Sequence, residues 1–148
     1  NKQADVMAIL KLYELRRDPE MRAARQWYSS EFAPESAMDI IALYRGGERA
    51  SANSRMVVSY WDTAASLVLN GGIGQKMFLD ANTEHLFVYA KIADFLPQVR
   101  EMFCEPDYLL HLETLVQTIP DLEAKIEGRK RLGEIWAGKA AEGKRADG

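Results

Sequence analysis

At 148 residues and a net charge of -3, the chain has the size of one domain, and its acidic balance disfavours a dedicated nucleic-acid binder. Hydrophobic residues make up 47% of it, too many for a disordered chain and enough to bury a core without disulfide or metal staples. A lone cysteine, Cys104, excludes an intrachain disulfide and fits a reducing, cytoplasmic compartment.

Taken in order, Ala4 to Arg17 places Val6, Ile9, Leu10, Tyr13 and Arg17 at helical spacing, and period-2 alternation fails there. The chain opens at Asn1 rather than Met, so an anchor upstream is left open. MAIL followed by the charged LRRDPEMR does not read as a signal peptide. Asp18-Pro19-Glu20 restarts the chain as a second helix to about Phe32: Asp can cap, and Pro suits the first helical position. Pro34-Glu35-Ser36 opens a short third helix with Met38, Ile41 and Tyr44 on one side, and Gly46-Gly47 ends it.

Arg55 to Asn70 is the longest apolar helical pattern. Val57, Tyr60, Trp61, Ala64 and Val68 form its stripe, and Asn70-Gly71 stops it. A turn and short helix follow to Asp80, carrying Ile73, Met77 and Phe78. One helix is then expected from about Asn82 to Phe103, kinked at Pro97, where the ring removes a hydrogen bond. Pro106 is expected to start the next helix, Pro120-Asp121 to end it, and Leu122 to lead a last one through Trp136. No segment reads as a strand, and no run reaches the about 18 apolar residues of a membrane span. The expectation is an all-α array of about six or seven helices, mostly antiparallel neighbours, in one domain over residues 1–138. Residues 139–148 read as a disordered tail.

Chemistry-bearing constellations are sparse. His85 and His111 stand in no metal-binding spacing, and Asp80, Glu84 and His85 read as a surface cluster at a helix start, where acids complement the dipole, so neither a metal nor a cofactor is expected. Gly71-Gly72-Ile73-Gly74 lacks the lysine of a phosphate loop and follows a helix. Cys104 with His111 could form a nucleophile and base, but packing explains Cys104 better. Arg16, Arg17, Arg22 and Arg25 form a basic cluster, and Lys125, Arg129, Lys130 and Arg131 a second one interleaved with glutamates. Both read as solvated faces, with an anion- or partner-binding patch as the alternative for the first. The acid to watch is Asp62. If buried, it needs a partner, and Arg55, Arg22, Arg25 and Arg100 are the candidates for an ion pair. The aromatics at helical spacing, among them Trp27, Tyr28, Trp61 and Phe87, read as core.

LYELRRDPEMRAARQWYSSEF (12–32), RMVVSYWDTAASLVLNGGI (55–73), Phe78 and the later PQVREMF together resemble a family of small, uncharacterised, helical bacterial proteins, a domain of unknown function, over about residues 9–105. The resemblance rests on an acid after an aromatic pair, here Asp62 after Tyr60-Trp61, and on the Gly72-Ile73 step. Ala65 stands where the family pattern has Gly. Some such proteins carry a membrane anchor ahead of the domain. The resemblance implies an all-helical fold and brings no activity or catalytic residues. The reading is of a non-enzymatic interaction domain that self-associates or binds a protein partner. The alternative is a small-molecule or anion-binding protein, or an enzyme, with an interhelical pocket near Arg22, Arg25 and Asp62.

Overall fold

The computed structural model describes residues 1–146, with side chains to residue 138. Helix α1 (Lys2–Arg16) starts where the Asn1 side chain accepts the Ala4 N–H at 2.9 Å. Helix α2 (Pro19–Ser30) starts as its residue types dictate: the Asp18 carboxylate accepts the N–H groups of Glu20 and Met21, and Pro19 occupies the first turn. Ser36 caps α3 (Ala37–Arg45) by accepting the Asp39 N–H at 3.2 Å. The buried side of α3 is Ala37, Ile40 and Ile41, whereas Met38 is 50% exposed, so the expected face is rotated.

Helix α4 (Arg49–Leu69) begins six residues before the expected Arg55, because the polar stretch ahead of Arg55 is already helical. Its small polar residues Ser51, Asn53 and Ser54 are buried. Gly71 has φ +81°, Gly71 N–H bonds Val68 O, and Gly72 N–H bonds Leu67 O at 2.8 Å, which closes the C-terminus as the Asn-Gly pair predicts. Then come α5 (Gln75–Ala81) and α6 (Glu84–Ile92), a 3-10 turn at Ala93–Phe95, α7 (Leu96–Phe103), α8 (Leu110–Val116) and α9 (Leu122–Ala146).

The kinked helix expected over 82–103 is thus two helices. Pro97 lies in the first turn of α7, where a missing N–H costs nothing. Its ring crowds the helical conformation upstream, and the chain breaks at Ala93–Phe95 instead of bending at the proline. Pro106 does not start a helix either: Cys104 and Leu109 both take φ +55°, and α8 begins only at Leu110. The last helix runs on to Ala146, into the tail expected at 139–148, of which residues 147 and 148 lie outside the described residues.

The architecture is all-α, with no strand among the described residues. Helix α4 packs between α2 and α8, and α6 packs against α8 and α9. Trp61, Ala64 and Ala65 of α4 are almost fully inaccessible. In α6 every residue from His85 to Ile92 except Lys91 is buried, so α6 is as central as α4. The Tyr28 hydroxyl donates to Val88 O at 2.7 Å and ties α2 to α6. Among the described residues no helix is long and apolar enough to cross a membrane.

Candidate functional site

The expected ion pair at Asp62 is not formed. Its Oδ1 accepts the backbone N–H of Leu112 at 2.9 Å, and its Oδ2 lies 3.4 Å from His111 Nδ1. The cause is the start of α8. The residue in the N-cap position is Leu109, whose side chain has no acceptor, so one of the free N–H groups of the first turn is met by a carboxylate from α4. Asp62 is therefore a helix cap supplied from another helix, half-buried rather than buried.

None of the four candidate arginines pairs with Asp62. Arg25 binds Glu84, with Nε 3.0 Å from each carboxylate oxygen and Nη2 2.8 Å from Oε1. Arg100 donates to Tyr108 O at 2.8 Å and to Glu113 Oε1 at 3.1 Å. Arg55 is exposed and reaches Ser51 O, one turn back. Arg22 is exposed and lines a shallow depression with Arg25, Glu84 and Trp136. Asp62 lines a different, open cleft of about 690 Å³ with Arg55, Glu105, Asp107 and Tyr108. Arg22, Arg25 and Asp62 do not share a pocket, so the anion site expected around the three is not assembled.

The acids near His85 also separate. Asp80 pairs with Lys76 one turn away, while Glu84 turns to Arg25 and accepts the Trp61 indole N–H at 3.1 Å. No group of three metal-binding side chains converges among the described residues. His85 itself goes inward. It is 1% exposed, with its ring centre 5.9 Å from Trp61 and 5.5 Å from Phe78, and neither ring nitrogen has a hydrogen-bond partner. Burial, and secondarily the charge of Arg129, push its pKa from 6.5 down to about 4, so the ring is neutral at pH 7.

His85 forms part of the wall of a cavity of about 530 Å³ between the α5–α6 corner and α9. Leu79, Leu86, Ile119, Pro120 and Leu132 make it apolar. Lys125 and Arg129 of α9 are its two cations, and no acid lines it. Neither cation forms an ion pair or a side-chain hydrogen bond among the described residues. Lys125 is exposed, as its sequence interleaving with glutamates suggested, whereas Arg129 is half-buried.

A second group that sequence reasoning passed over is Lys91. Its ammonium donates to Ser29 O at 3.2 Å and Phe32 O at 2.6 Å, capping the C-terminal end of α2, and burial lowers its pKa to about 8. The available signal was a lone lysine in the apolar run LFVYAKIA.

On the outside, α1 has apolar residues on two sides. Ala8, Ile9 and Leu12 pack on the core, whereas Val6, Leu10 and Tyr13 face away at 43%, 55% and 52% exposure. The helix is held by the Asp5 carboxylate on Gly74 N–H, by the Tyr60 hydroxyl on Leu12 O, and by Arg16 set against the Tyr13 and Trp61 rings.

No curated protein and no solved structure matches the chain. A family model does match, over residues 2–119, which takes in α1 to α8 and leaves α9 beyond the match. The Asp62 cap and the buried His85 both lie inside those residues, and the chain belongs to the family described as Domain of unknown function (DUF4760).

Proposed function

We propose that the domain is a non-enzymatic interaction module that self-associates through the outward face of α1. The observation that carries this reading is the stripe of Val6, Leu10 and Tyr13, spaced i, i+4 and i+7 and about half exposed, on a helix that contributes no fully buried residue to its own core. A helix that turns one apolar side inward and another outward is suited to pack a second helix against it. A second copy is the partner argued for, because one stripe can serve both sides of a two-fold interface. The interior charged groups support a structural role. Glu84, Glu113 and Asp62 are each held by an arginine or a backbone N–H, which leaves none of them poised as an acid or base. Cys104 is an exposed free thiol, which favours a reducing compartment such as the cytoplasm.

Sedimentation velocity across a concentration series tests the reading. The expected result is a reversible dimer that Leu10→Glu converts to monomer with an unchanged helical spectrum. A monomer at every concentration would remove self-association, and a dimer indifferent to Leu10→Glu would remove α1 as its interface.

A further inference from the structure

Two groups in the α5–α6/α9 cavity are left without partners. His85, in the wall, has neither ring nitrogen bonded and both shielded from solvent, and the half-buried Arg129 forms no ion pair among the described residues. Both line the same cavity, and the arginine's charge disfavours protonation of the ring. An unsatisfied buried polar group is costly, and neutral imidazole retains one N–H to donate. A cavity of about 530 Å³ lies within the range of sites for small organic ligands, apolar within and carrying few polar groups.

We propose that this cavity is a binding site for a small amphiphilic carboxylic acid. Its carboxylate lies between Arg129 and His85, with Lys125 at the rim, and its hydrocarbon part lies against Leu79, Leu86 and Leu132. The anion supplies what both unpartnered groups lack: an acceptor for the His85 N–H, and a counter-charge for Arg129. The wall contains no carboxylate to repel it. Gly128 faces the cavity with open space where a Cβ would stand, so the backbone of α9 leaves room for the ligand there. The cationic side of the site comes from α9, beyond the residues the family model matches, which makes the specificity a property of this chain.

The test uses the whole chain and monomeric decanoate as the probe, with decyltrimethylammonium as a control carrying the same tail and the opposite charge. Having only two histidines makes the readout simple. Decanoate is expected to move the His85 ring signals in an NMR titration, to leave those of His111 in place, and to raise the His85 pKa. Arg129→Gln should weaken binding about tenfold, the effect of losing a hydrogen bond to a charged group. Gly128→Leu gives a second variant that does not threaten the fold, because leucine favours a helix more than glycine does, and it should abolish binding by filling the space. The proposal is overturned if decanoate does not bind up to its solubility limit, or if the ammonium control binds equally well. It is also overturned if both variants bind like the parent, or if only anionic phospholipid vesicles bind.

Discussion

Arg25 holds both carboxylate oxygens of Glu84 across 59 residues of sequence, and Glu84 Oε2 also accepts the Trp61 indole N–H. Three helices, α2, α4 and α6, meet at this one carboxylate. The pair is half-buried, with side chains 28% and 23% exposed, so it lies between a solvated pair, which contributes little, and a buried one, whose breakage is severe. Glu84→Gln should lower the unfolding free energy by about 2 kcal/mol, since it leaves a shielded guanidinium without its counter-charge. A double-mutant cycle with Arg25→Met, read by urea denaturation, should return part of that loss. Additive losses would show that the two side chains are not coupled.

Asp62 gives a different magnitude for a different reason. A buried acid paired with an arginine would cost several kcal/mol to remove, whereas a cap contributes about 1 kcal/mol. Asp62→Ala is therefore expected to destabilise by about 1 kcal/mol, and Asp62→Asn by less, because the amide oxygen can still accept the Leu112 N–H. The same urea series measures both. A loss above about 3 kcal/mol for the alanine variant would contradict the cap assignment.

These two residues show what was legible in the sequence. Helix starts and stops are local chemistry, so Asp18-Pro19, Ser36 and Asn70-Gly71 could be read directly and are found at helix ends. Partners of charged groups are decided by tertiary packing. Matching Asp62 to an arginine was reasonable on charge alone, but its main partner is a backbone N–H freed by a left-handed Leu109, a conformation that residue type does not announce. Periodicity placed Val6, Leu10 and Tyr13 on one side of a helix without showing that this side points outward. His85 was visible only as a residue without metal-ligand spacing. Its burial follows from the way α6 is enclosed on all sides.

His85 sets a pH dependence. Its folded pKa, about 4, lies below the 6.5 expected of an exposed ring, so the unfolded chain takes up the proton first as the pH falls. Its contribution is complete above pH 6.5 and is lost progressively as the pH falls from there towards 4. The span is roughly 3 kcal/mol, from 1.36 kcal/mol per pKa unit. Urea unfolding at steps between these two pH values should show stability falling in the parent. In His85→Gln the slope should be shallower. Equal slopes in the two proteins would mean that His85 titrates normally.

The attachment of α1 can be tested at its far end. Asp5 Oδ2 accepts the Gly74 N–H at 3.0 Å, and a Cβ built on Gly74 would stand 2.9 Å from that same oxygen. The backbone of Gly74, at φ -58° and ψ 126°, is open to any residue, so alanine adds no backbone strain there and acts only by pushing the carboxylate away. Because α1 contributes no fully buried residue, loosening it should leave global unfolding nearly unchanged while its local opening becomes easier. Gly74→Ala should raise amide hydrogen exchange over residues 2–16 about tenfold, the equivalent of one weakened hydrogen bond, with α4 and α6 unaffected. Asp5→Leu should reproduce the effect by removing the acceptor. Unchanged exchange in both variants would show that Tyr60 and the packing of Ile9 and Leu12 hold the helix without the Asp5 contact.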